Sequence, residues 1–309
     1  MTQIGIMIEG QDGTNWERWG RILQAAEDFG YQCVFRSDHF TNTAAPDKDS
    51  LELWVSLTYA AAQTKRIEFG PLVTPVTFRH PAITVRMAAA VDDLSGGRLV
   101  LGLGAGWQER EHTKFGVPFY DFPTRFDMLT DAMEITTRLL RSDEPVTYSG
   151  KHFSLDEAQL LPRPQRRGGP PILIGGRGPK RTLPLVVQYA QEWNAVLIPP
   201  DEYVERAALL DQLLSEQGRP PGDVKRSLMT QVVFSPDEAS LDERLSARNV
   251  TRDELIQRGL IVGTAPMLVD QIGQWVERGV ERFMLQWLDQ DNIAGLEQIA
   301  RDVLPHFHQ

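Results

Sequence analysis

Residues 4–35 read IGIMIEGQDGTNWERWGRILQAAEDFGYQCVF, and the spacing of their apolar side chains predicts a strand, a helix and a second strand. Ile4–Ile8 is a short apolar run of the kind that forms a buried parallel strand. Residues 16–29 follow with helical spacing, and Gly30 is suited to end that helix because glycine adopts a left-handed conformation without steric cost. Cys33–Phe35 is the second strand. The apolar face of the helix contains Trp19, Ile22, Leu23, Ala26 and Phe29.

The same alternation continues to the end of the chain, with no linker or change in composition between the two halves. Eight strand–helix units favour a closed (β/α)8 TIM barrel, α/β in class, over an open sheet. We predict one domain over residues 1–309 with an insertion after the fourth βα unit, within 141–171, where 146–153 is typical of a hairpin turning at Ser149–Gly150. Length alone would also suit two domains of about 150 residues. The six further strands are predicted at 67–76, 99–104, 172–174, 193–197, 228–234 and 282–287.

The composition disfavours several classes of protein. The 309 residues carry a formal net charge of −10, which disfavours a nucleic-acid-binding surface and favours a small-molecule partner. The single cysteine, Cys33, cannot build a disulfide framework or a zinc cluster of cysteines. The N-terminus has no cationic run ahead of an apolar stretch, and no run of ~20 apolar residues is present to span a membrane. We therefore expect a cytoplasmic protein.

In a parallel barrel the functional groups follow the strands, and four stretches lie at such positions. Ser37–Phe40 follows the second strand, where His39 can give or take a proton near neutral pH. The alternative is a histidine that caps or packs a loop. Gly70–Pro75 ends the third strand, and its two prolines and one glycine favour a bulge. An ordinary strand end is the alternative there.

The other two stretches are rich in glycine. Gly102–Trp107 follows the fourth strand, and its alternate glycines would let a flat ring or a substrate approach the backbone. The alternative is the dinucleotide fingerprint of an NAD-linked dehydrogenase on a doubly wound sheet, although the motif falls in the fourth unit instead of the first. Gly175–Lys180 follows the fifth strand and is suited to bind an anion at a helix N-terminus, with Arg177 and Lys180 adding positive charge. A tight βα turn is the alternative.

Three other features of the sequence are not expected to form a functional site. Cys33 lies inside a strand and is expected to be a buried, inert thiol. Glu109, Glu111 and His112 lack the spacing of a zinc-binding helix, so we expect a polar loop there and no metal site. Residues 235–258 are charged and predict a solvated helix.

Together these stretches resemble the luciferase-like monooxygenases and, within that superfamily, the branch that depends on coenzyme F420. The resemblance covers nearly the whole chain, with the motifs in the same order and one after each expected strand. It implies a (β/α)8 barrel that transfers a hydride between the deazaflavin of F420 and a small organic substrate. The matching motifs are Asp38–Phe40, Gly70–His80, Leu94–Leu99, Gly102–Trp107 and Gly175–Lys180.

The resemblance also implies roles for individual residues. His39 would be the catalytic residue, moving a proton or orienting the substrate near the reactive face of the ring. A non-proline cis peptide would join Pro71 and Leu72 behind the ring. The phosphate would lie against the glycine-rich stretch that begins at Gly175. The cofactor-binding residues it implies are Asp38, Pro71, Leu72, Thr74, Ala105, Gly106, Gly175, Gly176, Arg177 and Gly178.

Trp107 departs from the pattern of this branch. The sugar-phosphate dehydrogenases have a glutamate at that position, so Trp107 implies contact with an apolar or aromatic substrate and puts glucose 6-phosphate oxidation in doubt. One alternative keeps the fold but binds FMN, and the protein is then a monooxygenase that uses reduced flavin and oxygen. Another is a flavin-binding relative without catalysis. Relatives are often homodimers, so we expect a homodimer.

Overall fold

The computed structural model describes residues 2–307. Within these residues, every helix is too short or too polar to span a bilayer. The strands are β1 (Gln3–Ile8), β2 (Cys33–Arg36), β3 (Glu68–Pro71), β4 (Thr74–Pro75), β5 (Leu101–Gly104), β6 (Val146–Ser149), β7 (Ser154–Ala158), β8 (Ile172–Gly175), β9 (Glu192–Val196), β10 (Lys225–Phe234), β11 (Ile261–Gly263) and β12 (Arg282–Gln286). The α-helices are α1 (Trp16–Phe29), α2 (Leu53–Gln63), α3 (Pro81–Leu94), α4 (Glu109–Phe115), α5 (Phe122–Arg141), α6 (Thr182–Tyr189), α7 (Pro200–Glu216), α8 (Glu238–Ser246), α9 (Arg252–Gln257), α10 (Ala265–Glu277) and α11 (Ile293–Asp302).

Eight parallel strands form a closed ring, in the order β3-β2-β1-β12-β10-β9-β8-β5-β4. β3 and β4 are two halves of one strand, interrupted at residues 72–73. β4 pairs with β5, and Phe69 of β3 forms a parallel bridge with Leu99 just before β5. The third and fourth barrel strands are therefore neighbours. The predicted (β/α)8 barrel is confirmed, and the doubly wound sheet of an NAD-linked dehydrogenase is excluded.

The insertion lies where it was predicted, between the fourth and fifth barrel strands, as the antiparallel hairpin β6–β7. Its turn is longer than predicted, because residues 150–153 separate the strands. The turn wraps around the Asp131 carboxylate of α5, which accepts the backbone N–H groups of His152 and Phe153 at 2.7 and 3.2 Å. A Cβ atom at Gly150 would lie 2.5 Å from that carboxyl group, so only glycine fits beside it.

The charged stretch after the seventh barrel strand differs from its prediction. It forms two short helices, α8 and α9, and is followed by a strand, β11, that the sequence did not indicate. Thr251 and Glu254 form a capping box that starts α9 as a separate helix. β11 pairs with the end of β10, which is longer than predicted because its first half also pairs with β9 and β12. A three-residue strand is too short to show a period in the sequence.

The lower end of the barrel is closed by buried side chains. Arg282 is 1% exposed and pairs with Glu192 at 3.2 Å and with Glu68. Above this group the barrel interior is apolar, with Phe35, Val100, Leu173 and Met284 in one cluster. Cys33 belongs to the same cluster, and burial raises the pKa of its thiol to about 12. The prediction of a buried thiol is confirmed.

Candidate active site

A cavity of about 640 Å³ opens at the carboxyl ends of the barrel strands. This volume lies within the range of roughly 300–1,000 Å³ that is usual for small-molecule sites. His39 of the loop after β2 lines it, as does Trp107 of the loop after β5. The other lining residues include Met7, Glu9, Gln11, Ser37, Leu72, Val73, Gly104, Ala105, Gly106, Gly175, Gly176, Thr182, Asn194, Val196, Leu197, Met229 and Gln286.

His39 is held by a buried carboxylate. Its Nδ1 lies 2.8 Å from Oε1 of Glu111, which is 1% exposed. The other carboxylate oxygen accepts the backbone N–H of Phe40 at 2.8 Å. Burial opposes the charged imidazole, but the hydrogen bond and the negative charge of Glu111 outweigh it, so the pKa of His39 is raised. The Trp107 ring packs edge-on against the imidazole, with centroids 5.4 Å apart.

The prediction of a polar loop at residues 109–112 was wrong, because these residues begin the short helix α4. Gly116, with φ at 68°, ends that helix as a left-handed cap. Glu111 and His112 face inward and are buried. The histidine bonds Gln108 O through Nδ1 and Thr77 Oγ1 through Nε2, both at 2.8 Å. His112 is therefore structural, and the described residues contain no cluster of three metal-binding side chains.

Glu111 is a candidate functional residue that the sequence analysis assigned only to a polar loop. Its partner His39 is 72 positions away, so no local spacing joins the two. The available signal was the glycine cap after a short polar segment, which indicates a helix at the mouth of the barrel.

Asp38 and Thr74 lie together but are not among the residues that line the cavity. The Asp38 carboxylate is buried and accepts a hydrogen bond from Thr74 Oγ1 at 2.7 Å. Arg79, which the sequence analysis did not single out, pairs with Asp38 at 2.6 Å and with Glu52 at 2.6 Å. Burial acts to lower the pKa of Arg79, but the two carboxylates outweigh it and raise that pKa. This network supports the loop behind the cavity wall.

The cis peptide joins Leu72 and Val73, one residue later than the predicted Pro71–Leu72 bond. The prediction was wrong because Pro71 still pairs with Arg36 inside the sheet, so the bulge begins only after it. Pro71 does not line the cavity, whereas Leu72 and Val73 do.

The barrel glycines make room for this bulge. A Cβ atom at Gly104 would lie 2.5 Å from Val73 Cγ2, and one at Gly175 would lie 3.2 Å from Val73 Cγ1. At Gly102 it would lie 3.0 Å from the same Cγ1 atom. The alternate glycines were predicted to admit a ring or a substrate, but the atoms that approach them here belong to the chain itself. Gly106 differs, since its φ of 77° lies in the left-handed region that favours glycine.

The stretch after β8 divides between the cavity and the outer surface. Gly175 and Gly176 line the cavity, whereas the Arg177 side chain turns outward to Glu202 at 3.4 Å. Gly178 packs on the side chain of Thr182, at the start of α6. Within residues 2–307, the two backbone N–H groups before Pro179 and the two after it donate no backbone hydrogen bond. Free N–H groups beside a helix N-terminus suit an anion. The groups in this turn belong to Arg177, Gly178, Lys180 and Arg181.

Asn194 is a residue that the sequence analysis missed, because it lies inside a predicted strand. Its Nδ2 donates to Ser227 Oγ at 2.9 Å, and its Oδ1 has no partner although the residue is 0% exposed. Gly175 pairs with Asn194 in the sheet and carries no side chain, so the cavity reaches this amide. An unpaired buried acceptor at a cavity floor suits a ligand that donates a hydrogen bond.

The fold and the site together define a class of protein. The family model for luciferase-like monooxygenases matches residues 1–251, and the chain belongs to that family. It is 27% identical to an F420-dependent glucose-6-phosphate dehydrogenase of Microbacterium testaceum (strain StLB037), over 92% of this chain and 91% of the relative. It is also 26% identical to the 4-hydroxyprotoasukamycin monooxygenase of Streptomyces nodosus subsp. asukaensis, over 93% and 86% of the two chains.

A solved structure of similar fold is that of an F420-dependent secondary alcohol dehydrogenase in complex with an F420–acetone adduct. It superposes with a TM-score of 0.88 at 23% identity, covering 100% of this chain and 99% of the other. The coenzyme F420-dependent tetrahydromethanopterin reductase from Methanopyrus kandleri superposes with a TM-score of 0.81 at 21% identity, covering 99% of each chain.

Proposed function

We propose that the protein is an oxidoreductase that transfers a hydride between coenzyme F420 and a small organic substrate. The proposal is based on the position of His39. This residue lines the barrel cavity, and its Nδ1 is hydrogen-bonded to the buried Glu111 carboxylate. F420-dependent enzymes are among the relatives and the solved structures of similar fold, which supports this cofactor.

The residues of the cavity fit a deazaflavin. Leu72, Val73 and Met229 supply apolar surface for a flat ring, and the Asn194 amide oxygen can accept a hydrogen bond from its polar edge. Ala105 and Gly106 add backbone to the same wall. The unpaired N–H groups after Gly176 would hold the phosphate, with Arg177 and Gly178 contributing backbone. Asp38, Pro71 and Thr74 would support this wall from behind.

When bound, F420 supplies or accepts the hydride at its ring carbon. His39 would give a proton to the substrate, or take one from it, through Nε2. Glu111 accepts the hydrogen bond from Nδ1, so it fixes the tautomer and stabilises the charged imidazole as the proton arrives. Trp107 would contact the substrate, because its ring is 62% exposed and lies beside His39.

The cavity does not suit a phosphorylated sugar. None of its lining residues within the described chain is a lysine or an arginine, whereas a phosphate monoester carries up to two negative charges. We infer that the substrate differs from the glucose 6-phosphate named for the relatives.

Titration of the protein with F420 and, separately, with FMN tests the cofactor. We expect a change in the absorbance and fluorescence of F420 on binding, and weaker or no binding of FMN. Tight binding of FMN together with oxygen consumption would instead favour the monooxygenase alternative, which a relative at 26% identity supports. A screen of reduced F420 against enones, imines and nitroaromatics, and of oxidised F420 against alcohols, then tests for turnover, with His39→Ala as the inactive control.

We also propose a homodimer through the outer face of α2 and α3. Val55, Ile83 and Leu94 are 57%, 51% and 55% exposed on these two helices, which pack on each other. Apolar side chains this exposed on adjacent helices suit a self-complementary contact. Sedimentation velocity should give a dimer that Ile83→Lys converts to a monomer, and a monomeric wild type would refute the proposal. Cytoplasmic location stays a prediction.

A further inference from the structure

One side of the cavity contains the carboxylate of Glu9. Glu9, after β1, accepts from Gln286 Nε2 at 2.6 Å and from Gln11 Nε2 at 2.9 Å. The Gln11 amide is oriented by Ser37, whose hydroxyl donates to Gln11 Oε1 at 2.8 Å. Both partners of the carboxylate are therefore neutral amides. Each carboxylate oxygen has two lone pairs, so each can accept a further hydrogen bond.

No cation of the described chain pairs with Glu9. The His39 imidazole is bound to Glu111, and Arg79 is bound to Asp38 and Glu52. Arg36 lies nearby, but its guanidinium bonds Ser37 O, Ser56 Oγ and Leu51 O. A carboxylate that lines a partly enclosed cavity with only neutral partners favours a positively charged ligand.

We propose that the side of the cavity formed by Glu9 and Gln286 is a substrate subsite for a protonated nitrogen, an ammonium or an iminium group. An N–H of such a group can donate to a free lone pair of the Glu9 carboxylate, and its positive charge complements the negative charge of Glu9. The role of the subsite in selecting amines and imines as substrates rests on the proposed function. Binding of the cation does not require that function.

Isothermal titration calorimetry with three probes that share one ring tests the subsite. Benzylamine is cationic at pH 7.5, benzyl alcohol is neutral and benzoate is anionic. We expect benzylamine to bind about tenfold more tightly than benzyl alcohol, the ratio that one charge-assisted hydrogen bond provides. Benzoate should bind most weakly. Benzoate binding as tightly as benzylamine would overturn the proposal.

Two variants assign the preference to one residue. Glu9→Gln keeps the side-chain size and removes the charge, so benzylamine should lose about tenfold in affinity while benzyl alcohol changes little. Glu109→Gln is the matched control, because Glu109 is an exposed carboxylate of α4 outside the cavity lining. Equal loss in both variants, or none in Glu9→Gln, would contradict a subsite at Glu9.

A measurement on the wild type keeps the proposal testable if Glu9→Gln fails to fold. Added NaCl should weaken benzylamine binding and leave benzyl alcohol binding unchanged, because only the former relies on charge. Equal salt dependence would overturn the proposal. All titrations are run with and without F420. Failure of F420 to bind would overturn the proposed function. The subsite would still be tested by the titrations of the protein without F420.

Discussion

Replacing Glu111 with glutamine should reverse the hydrogen-bonding role of His39. The wild-type carboxylate only accepts hydrogen bonds, so a neutral His39 carries its proton on Nδ1 and presents a lone pair at Nε2. In Glu111→Gln one terminal atom becomes an NH2 donor. That group cannot face the N–H of Phe40, which needs an acceptor at 2.8 Å. The amide nitrogen must therefore face His39 Nδ1, and the ring proton moves to Nε2.

The size of the effect follows from the role of His39 as a base. A base whose lone pair is replaced by a proton loses its contribution to general base catalysis, which is typically 10²–10⁴-fold. We expect kcat in the direction of substrate oxidation to fall by about that factor, with KM changed little because the shape of the site is kept. Loss of the negative charge should also lower the pKa of His39, since Glu111 outweighs the effect of burial in the wild type.

The assay needs no substrate in its first step. ¹⁵N NMR of histidine-labelled protein reports which ring nitrogen carries the proton, and a pH titration follows the His39 pKa. Glu109→Gln should change neither signal. Rates follow with the substrate found by the screen. A His39 that keeps its proton on Nδ1 in Glu111→Gln, or a pKa equal to that of the wild type, would refute the reasoning.

Three further predictions concern stability. Because the folded-state pKa of His39 is raised, the ion pair of the charged imidazole with Glu111 should stabilise the protein fully below the unfolded-state pKa of about 6.5, and this contribution should be lost as pH rises through the folded value. Denaturant unfolding of wild type and Glu111→Gln across this range should therefore converge at high pH, and a gap that widens would contradict the pairing. Gly104→Ala should cost about 1–3 kcal/mol, because its Cβ would lie 2.5 Å from Val73, and Val73→Ala should recover most of that loss. Arg79→Met should cost roughly 3–5 kcal/mol by leaving Asp38 buried with Thr74 alone, and the additional change Asp38→Asn should restore stability in thermal melts.

The barrel was predictable because its signals are local. Each apolar strand is followed by a helix within one stretch of sequence, and Trp19, Ile22 and Leu23 of α1 are buried as their spacing indicates. Gly30 ends that helix with a φ of 89°. β11 escaped prediction because three residues carry no period. The position of the hairpin turn depends on Asp131, a carboxylate of another element.

The candidate site was predictable only as a set of loops. Position after a strand is a local property, and it placed residues 39, 72 and 105–107 at the cavity. The partners of these residues come from distant elements. Glu111 binds a side chain 72 positions away, and Arg79 reaches an aspartate 41 positions away. The alternate glycines were predicted to make room for a ring or a substrate, but in the structure they make room for the Val73 side chain. The sequence does not show that Val73 packs against them.

The geometry of His39 depends on the contact between α4 and the loop after β2. Glu111 binds the imidazole with one oxygen and the next backbone N–H with the other, so it holds the side chain and its backbone together. Arg110, the preceding residue on α4, reaches the far end of the same loop through Asp47 at 2.6 Å. A shift of α4 would therefore move the loop and the imidazole as one unit. None of these bonds involves Trp107, whose ring only packs edge-on against the imidazole, so substitutions of Trp107 should change which substrate is bound while the His39–Glu111 bond stays in place.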